Sequence, residues 1–446
     1  MVSPVTSLRP PQADRPVGST QSVTALMELT EASAERHLGA ICFKIGPPAL
    51  VGVEAEWFVH DDRCPTAPVD PARVASALAV LPDSADGPVF PAGSRLTYEP
   101  GGQVELSSPP APDPAACAAG LSADQAVLRA ALAAEGLRLT GTGTDPLDRE
   151  RQMQATHPRY RAMERYFDRG GPWGRIMMTG TASVQVCVDA GTERTYLDRW
   201  RLAHLLGPVL VGAFANSPLL EGRPTGWKST RQLIWSRMDP SRTLAPPPLA
   251  DPREAWTRYV LDATVLCVRR TDRLPWDAPA GLTFRDWLRG GGERGVALAD
   301  LDYHRTTLFP PVRPRGHLEL RMIDAQPGEG WRVPLALVSA LMDDPPAAEE
   351  ALDALERLGH AGSRAPRSGL WRRAAALGMA DPELRRAALA CFAAADRALS
   401  RRDGELRSAV LEFAERYPAR GRCPADDQLA ALRSGAAPAL QEDSSC

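Results

Sequence analysis

Glutamates at alternate positions of short apolar stretches are the residues of this sequence best suited to chemistry. Glu105 stands between Val104 and Leu106, shortly after a turn at Pro100-Gly101-Gly102 that follows Glu99. Successive side chains of a β-strand point to opposite faces, so Glu105 is predicted to point away from the apolar face. This stretch is therefore expected to present carboxylates on a polar surface.

Three other stretches repeat the division into one apolar and one polar face. Glu54 and Glu56 alternate with apolar or small residues, and Glu319 and Arg321 do so in a later stretch. Gln185 occupies the polar side of a third stretch. We therefore expect half-buried strands that offer four or five carboxylates to a single polar surface.

Carboxylates that share a partly dry surface repel one another, so a cation is needed to hold them together. Acids without histidine or cysteine among them favour hard, oxygen-binding ions. Mg²⁺ commonly arrives with the phosphates of a nucleotide because it gives up its waters reluctantly. The residues by themselves thus predict a Mg²⁺-phosphate site on an antiparallel sheet.

The elements that position these acids follow from hydrophobic periodicity and capping signals. Besides the strands already described, the pattern predicts a strand over 137–143 and a mostly helical segment from Pro334 to about residue 433. Further helices are predicted over 21–38, 70–81, 122–135, 157–167, 196–216, 254–268 and 284–289. Structure is expected to restart over 228–235, where Arg231 and Trp235 would share one face of a helix if that segment is helical. The nearly all-apolar helix 196–216 is expected to form a buried spine behind the sheet.

Length and composition indicate an ordinary globular protein. The chain has 446 residues, of which 44% are hydrophobic and 24% charged, enough for one large domain or two modest ones. A net charge of -3 provides no basic field for nucleic acid or anionic lipid, so small-molecule substrates are expected instead. Scattered cysteines without a Cys-x-x-Cys pair and the absence of an apolar leader predict a cytoplasmic location.

Four regions are expected along the chain. Residues 1–20 and 434–446 are predicted to be tails, the first of them disordered. Residues 21–345 are predicted to form a catalytic domain, with a C-terminal helical region over 346–433 packed on it. A Gly-rich phosphate loop with its lysine is absent from the sequence, so the sheet and its metal ions would have to hold any ATP.

Six stretches resemble glutamate-cysteine ligases of the plant type, in the same order from about residue 50 to residue 340. The similarity is closest to the actinobacterial branch that supplies γ-glutamylcysteine for ergothioneine synthesis, in which residues 177–185 also have a counterpart. The stretches are Gly52–Glu56, Glu99–Ser107, Phe214–Pro218, Arg231–Trp235, Thr306–Pro310 and Glu319–Arg321.

This resemblance implies an α+β fold with a glutamine synthetase-like catalytic domain. Such a domain has a curved antiparallel sheet with helices on its convex face, here followed by C-terminal helices. The resemblance also implies L-glutamate, L-cysteine and ATP with Mg²⁺ as ligands, and ligation through a γ-glutamyl phosphate. A monomer or small homo-oligomer is expected.

Roles for individual residues are also implied by the resemblance. The predicted Mg²⁺ ligands are Glu54, Glu56, Glu99, Glu105 and Glu319, and Glu105 and Arg321 are the predicted catalytic residues. The predicted contacts to substrate are Arg321, Arg231 for the α-carboxylate of glutamate, Trp235 and Gln185. The predicted contacts to the nucleotide are Gln185, Trp331 and Arg332.

Other interpretations of the same residues stay open at this point. Paired glutamates on a strand are by themselves most often solvated, and Arg321 could simply pair with Glu319. Thr179-Gly180 stands where plant enzymes carry an arginine, which leaves part of the glutamate site unassigned. The alternative functions are ligation of a different amine, phosphate transfer to a guanidino compound, and an inactive homologue that binds ATP and Mg²⁺.

Overall fold

The computed structural model describes residues 29–46, 50–85, 87–270, 274–358 and 365–435. The predicted tail over 1–20 lies outside these ranges, as do residues 436–446 of the predicted C-terminal tail. Residues 21–28 of the first predicted helix also lie outside them.

An antiparallel sheet forms the centre of the fold. Its strands lie in the order β10-β11-β7-β1-β5-β4, and β6 pairs with the far end of β1. Two short hairpins, β2-β3 and β8-β9, stand apart from it. The strands are β1 Val51–Asp61, β2 Asp83–Ser84, β3 Gly87–Pro88, β4 Arg95–Tyr98, β5 Val104–Ser107, β6 Leu137–Thr140, β7 Ser183–Asp189, β8 Leu219–Leu220, β9 Arg223–Pro224, β10 Val312–Pro314 and β11 His317–Asp324.

Helices account for most of the remaining structure. In the first part of the chain they are α1 Glu31–Cys42, α2 Pro71–Leu78, α3 Pro114–Ala134, α4 Pro158–Asp168, α5 Trp173–Gly180, α6 Tyr196–Leu205, α7 Gly207–Ala213, α8 Thr230–Arg237, α9 Pro240–Thr243 and α10 Pro252–Asp262. In the second part they are α11 Phe284–Asp286, α12 Leu298–Arg305, α13 Arg332–Asp343, α14 Pro345–Glu356, α15 Gly369–Leu377, α16 Pro382–Leu399, α17 Gly404–Arg416 and α18 Pro424–Arg433.

The two faces of the sheet differ because polar and apolar residues alternate along its strands. Val53, Ala55 and Trp57 of β1 are each about 1% exposed and belong to the main hydrophobic core. Helices α3, α7 and α13 pack against this face. The glutamates of β1 lie on the opposite face, so the predicted α+β arrangement with helices behind an antiparallel sheet is confirmed.

The predicted helix over 196–216 is divided in the structure. α6 ends at Leu205 and α7 begins at Gly207, where Pro208 lacks the amide hydrogen that would continue the helical hydrogen bonds. Every residue of α7 is buried, whereas the first turns of α6 include exposed side chains. The expected buried spine is therefore α7 rather than the whole stretch.

Two predicted helix starts differ from the observed ones. Within the described residues α1 begins at Glu31 after the cap residue Thr30, whereas the prediction also included residues 29 and 30 in the helix. α3 begins at Pro114, eight residues earlier than predicted, because the Asp113 carboxylate caps its first turn.

A second, smaller apolar cluster covers the polar face of the sheet. It contains Met163 of α4, Met177 and Met178 of α5, and Ile234 of α8. The C-terminal helices instead share the main core with the sheet, through residues such as Phe392 of α16. The polar face of the sheet is therefore enclosed between β-strands and the helices α4, α5 and α8.

Helices long and apolar enough to cross a membrane do not occur in the described ranges.

Candidate active site

Strand pairing brings the predicted acids of separate stretches side by side. Glu54 of β1 lies directly opposite Gln185 of β7, and Glu56 lies opposite Glu105 of β5. Residues directly opposite on neighbouring strands share a face, with Cβ atoms about 5 Å apart. The hairpin between β4 and β5 adds Glu99, and its tight turn is possible because Gly102 adopts a φ of 87°.

These acids line one cavity of about 280 Å³ between the sheet and the covering helices. Four of the five predicted acids, Glu54, Glu56, Glu99 and Glu105, reach its surface. The arginines that line it are Arg95, Arg159, Arg231, Arg305, Arg313, Arg315 and Arg321. Among the described residues of its wall, cations therefore outnumber anions, a charge balance that suits a polyanionic ligand.

Two of the acids are held in place by neighbouring donors. Glu56 accepts hydrogen bonds from the amide and hydroxyl of Ser183, at 2.8 and 2.9 Å, and from Nε2 of Gln185 at 2.9 Å. Glu105 accepts from the hydroxyls of Thr97 at 2.7 Å and Ser107 at 3.2 Å. Their carboxylates are thus oriented before any ligand arrives.

The acids also raise one another's pKa. Burial, followed by the charges of Glu105 and Glu319, raises the pKa of Glu54 to about 8. Burial and the nearby Glu105 and Glu56 raise the pKa of Glu99 well above its ordinary value. A bound cation would oppose these shifts, because it stabilises the ionised form of nearby carboxylates.

A metal ion fits the chemistry of this cluster, because its donors are carboxylate oxygens of the kind that Mg²⁺ prefers. Within the described ranges, however, no three acidic, histidine or cysteine side chains already converge to hold an ion.

Glu319 has a different environment from the other acids. Its side chain is fully buried, and Nε and Nη2 of Arg313 donate hydrogen bonds of 3.0 and 2.8 Å to its carboxylate. Nη1 of Arg321 donates to the same carboxylate, and Arg315 lies 3.5 Å from it. Although burial opposes it, the three guanidinium groups hold the pKa of Glu319 well below its ordinary value. A metal ion at Glu319 would have to displace or share these arginines.

Gln185 connects the acidic and basic halves of the cavity. Its amide nitrogen donates to Glu56, and its amide oxygen accepts from Nη1 of Arg321. The side chain is 3% exposed, so both polar atoms are satisfied within the site. This arrangement fixes Arg321 beside the acids, where it can reach a phosphoryl group or a carboxylate.

Arg231 and Trp235 lie on the covering helix α8, four residues apart, and both line the cavity. The guanidinium of Arg231 donates to the carbonyl of Arg321 at 3.0 Å and lies 5.6 Å from the centre of the Trp235 ring. Nε of Arg231 and Nε1 of Trp235 are buried without a hydrogen-bond partner among the described residues. Neither N–H group therefore has an acceptor among the described residues.

Trp331 and Arg332, the predicted nucleotide contacts, do not line this cavity. Trp331 is fully buried, and its indole nitrogen donates to Gln125 at 2.8 Å in the core behind the sheet. Arg332 pairs with Glu329 and Glu405 beside a separate outer cavity. Both residues begin α13, which packs on the face of the sheet opposite the acids.

Sequence reasoning also overlooks functional residues that the structure brings into the cavity. Arg313 lies directly opposite Glu319 in the hairpin β10-β11, a register that the turn at Arg315-Gly316 could have indicated. Met163, Met177 and Met178 form part of an apolar wall, together with Phe309. The available signal was the resemblance of the 177–185 stretch for Met177 and Met178, and that of Thr306–Pro310 for Phe309.

Comparisons with known proteins agree with this architecture. Residues 50–443 match the family described as Glutamate-cysteine ligase family 2 (GCS2). The chain is 41% identical over 437 residues to glutamate–cysteine ligase EgtA of Mycolicibacterium smegmatis, covering 93% of this chain and 98% of the relative. It is 41% identical over 414 residues to EgtA of Mycobacterium tuberculosis, covering 90% of each chain.

More distant similarities extend beyond bacteria and to solved structures. The chloroplastic glutamate–cysteine ligase of Medicago truncatula is 32% identical over 262 residues, which cover 56% of this chain and 50% of that one. A crystal structure of glutamate–cysteine ligase (gshA) from Francisella tularensis in complex with AMP has a TM-score of 0.52. The two chains are 14% identical, and the structural match covers 89% of this chain and 86% of the other. At this low identity the likeness supports the fold alone.

The family match covers residues 50–443, and relatives that are 41% identical align over at least 90% of both chains. The chain belongs to the glutamate-cysteine ligase family 2.

Proposed function

We propose that this protein joins the γ-carboxylate of L-glutamate to the amine of L-cysteine at the expense of ATP, in the cytoplasm. The observation that carries the proposal is one cavity lined by four glutamates of the polar sheet face and by seven arginines, which come from the sheet and from the helices that cover it. Family membership and relatives named glutamate–cysteine ligase support it. The product, γ-glutamylcysteine, would supply ergothioneine synthesis.

Mg²⁺ is the metal proposed for the acid cluster, and Glu54, Glu56, Glu99 and Glu105 are the residues proposed to hold it. When bound there it would neutralise the charge of the ATP phosphates and orient the terminal one. The raised pKa of Glu54 and Glu99 supports this role, because a cation stabilises the ionised carboxylates. Glu319 is proposed to take part chiefly by positioning Arg313 and Arg321, and to contact metal only if Arg313 moves.

Arg321 is proposed to stabilise the transferring phosphoryl group. A γ-carboxylate oxygen of glutamate attacks the terminal phosphorus of ATP, ADP leaves, and an acyl phosphate forms. The cysteine amine then attacks the acyl carbon, phosphate leaves, and the amine loses a proton. Both steps spread negative charge over oxygens, which a planar guanidinium fixed by Gln185 and Glu319 can pair with in a bidentate manner.

Arg231 and Trp235 are proposed to bind the α-carboxylate of glutamate. Their buried N–H groups lack acceptors among the described residues, and a buried donor without a partner costs about 1–3 kcal/mol. A carboxylate placed between them would satisfy both donors. Arg231 is therefore expected to affect the KM for glutamate more than the KM for ATP.

The apolar wall of Met163, Met177, Met178 and Phe309 is proposed to receive the cysteine side chain. Methionine sulfur and aromatic edges make favourable contacts with a thiol, whereas a serine hydroxyl would lose its water there without gaining a partner. The cost of that desolvation, about 1–3 kcal/mol, corresponds to roughly 5- to 150-fold discrimination.

A coupled assay for ADP, with glutamate fixed and a panel of amines, tests the reaction. We expect ADP and γ-glutamylcysteine to appear in equal amounts, and only when both amino acids and Mg²⁺ are present. Glu105→Gln provides a negative control of nearly unchanged shape. Faster ADP release with another amine, or binding of ATP and Mg²⁺ without turnover, would instead favour one of the alternative functions.

The cysteine wall is tested by comparing cysteine with serine. Met177→Gln keeps the length of the side chain and adds a hydrogen-bond partner, so the ratio of kcat/KM for cysteine to that for serine should fall about tenfold. Met238 belongs to the same apolar cluster but does not line the cavity, so Met238→Gln is the matched control. Equal ratios in the two variants would remove the methionines from the proposed thiol site.

A further inference from the structure

The stretch Phe214–Pro218 resembles the family but does not reach the cavity. Asn216 and Ser217 are instead 2% and 1% exposed and lie just behind the cavity wall. The amide of Asn216 donates to Oδ2 of Asp324 at 2.9 Å, and the hydroxyl of Ser217 donates to the same oxygen at 2.6 Å. The stretch thus ends on a buried carboxylate to which the proposed function assigns no role.

Asp324 reaches this position because β11 contains an irregularity. Leu320 pairs with Val186 in the regular register, but after a shift Asp324, rather than its neighbour Ile323, pairs with Ser183. A change of register by one residue moves a side chain to the other face of a sheet. The bulge therefore turns Asp324 from the core face to the face that carries Ser183 and Glu56.

Asp324 is fully engaged by hydrogen-bond donors in this position. Its Oδ1 accepts from the hydroxyl of Ser229 at 2.9 Å, in addition to the two bonds at Oδ2. A Cβ atom at Gly143 would stand 2.5 Å from the carboxylate carbon, so the backbone there approaches as closely as glycine permits. The carboxylate consequently has one position and one orientation.

Arg231 is the cation that faces this carboxylate. Its Nη1 lies 3.8 Å from Oδ1 of Asp324, which is an ion pair without a direct hydrogen bond. Nη1 and Nη2 donate to the backbone carbonyls of Ile323 and Arg321, at 3.4 and 3.0 Å. The hydrogen bonds that occupy Asp324 thus leave the guanidinium oriented by charge and free to donate through Nε.

We propose that Asp324 is a positioning residue that orients Arg231 for the α-carboxylate of the substrate, an inference that rests on the proposed function. A carboxylate that paired with Arg231 directly would compete with the substrate for the same N–H groups. Hydrogen bonds from Ser217, Ser229 and Asn216 hold the Asp324 carboxylate at a distance from which it attracts the Arg231 guanidinium without accepting a hydrogen bond from it. The role of the 214–218 stretch is to maintain that separation.

Asp324→Asn is the primary test, because the amide keeps the shape and removes the charge. We expect the KM for glutamate to rise at least tenfold, while kcat and the KM values for ATP and cysteine change less than threefold. Asp124 is the matched control, since it is also fully buried and accepts two backbone hydrogen bonds, from Ala92 and Ser94. Asp124→Asn should lower the melting temperature and leave the KM for glutamate unchanged.

A double-mutant cycle with Arg231→Lys shows whether Asp324 acts through Arg231. In the Arg231→Lys background, Asp324→Asn should change kcat/KM for glutamate less than threefold. Should Asp324→Asn fail to fold, Ser229→Gly removes one donor while glycine still serves as a helix cap, and it should raise the KM for glutamate several-fold.

Three results would overturn the proposal. If the wild type is active and Asp324→Asn leaves the KM for glutamate unchanged, the role of Asp324 is refuted and the proposed function stays intact. If Asp324→Asn does not fold, an unchanged KM in Ser229→Gly has the same meaning. Fully additive effects with Arg231→Lys would also refute the role of Asp324. Absence of ligation in the wild type would refute both the proposed function and the role of Asp324.

Discussion

Replacing Glu54 by glutamine tests whether the acid cluster stores repulsion that a cation relieves. Burial and the charges of Glu105 and Glu319 raise the pKa of Glu54 from 4.5 to about 8 in the native state. In the unfolded chain the carboxylate titrates near its ordinary value. The native protein therefore retains the proton to higher pH, and its stability falls as the pH rises from the unfolded pKa through the native one.

The size of this effect follows from the two pKa values. One such carboxylate lowers the free energy of unfolding by about 2–3 kcal/mol between about pH 6 and about pH 9. Glutamine has nearly the same shape and cannot ionise. In the absence of metal, the free energy of unfolding of Glu54→Gln should therefore fall by about 2–3 kcal/mol less than that of the wild type between about pH 6 and about pH 9. The variant should also be inactive as a ligase.

Urea denaturation at about pH 6 and about pH 9, with a chelator present, measures how much the free energy of unfolding changes in each protein. Adding Mg²⁺ at the higher pH should stabilise the wild type and stabilise Glu54→Gln less, because the variant stores less repulsion. Glu349→Gln, at an exposed position of α14, is the control and should show the pH dependence of the wild type. An equal loss of stability in Glu54→Gln and wild type would refute the reasoning.

The remaining predictions concern the other groups of the site. Glu105→Ala should abolish ligation while the metal-free protein stays folded, as judged by ADP release and circular dichroism; wild-type turnover would exclude a metal role. Arg321→Lys should lose at least tenfold in kcat, since an ammonium cannot make the two parallel hydrogen bonds of a guanidinium, and near-normal kinetics would assign it a structural role. Glu319→Ala should lower the free energy of unfolding by about 3–5 kcal/mol as well as activity, because it leaves buried arginines unpaired; an unchanged denaturation midpoint would contradict this. Trp331→Phe should cost about 1–3 kcal/mol of stability, by leaving the Gln125 oxygen without its donor, and should not change any KM; a raised KM for ATP would restore Trp331 to the nucleotide site.

Much of the sheet could be predicted because strand alternation is a local property of the sequence. The Glu54, Glu105, Gln185 and Glu319 stretches all became strands of one sheet, with their polar residues on the face expected. Helix boundaries were less predictable in the alanine-rich segment around α3, where periodicity hardly marks a beginning. There the Asp113-Pro114 capping pair, rather than the apolar pattern, determines the start.

The sequence predicted four acids of the cavity together with Arg231 and Arg321, but it predicted neither the other arginines nor which charges would meet. Arg313 meets Glu319 only because a hairpin sets their register, and Arg231 arrives from a helix on the opposite side of the cavity. Trp331 and Arg332 follow the last strand closely in sequence, yet the chain turns into α13 and carries them behind the sheet. Proximity in sequence was a poor guide to which face each residue would reach.

The sequence by itself determined which residues share a face within each strand, since alternating side-chain directions follow from backbone geometry alone. Only the tertiary structure decided which charges meet, because that depends on strand order, on register and on the bulge that turns Asp324 toward Arg231. It also decided that Glu319 is enclosed by arginines while Glu54, Glu56, Glu99 and Glu105 face the cavity. The difference arises because burial and pairing set the energy of a charge, and neither is a local property of the chain.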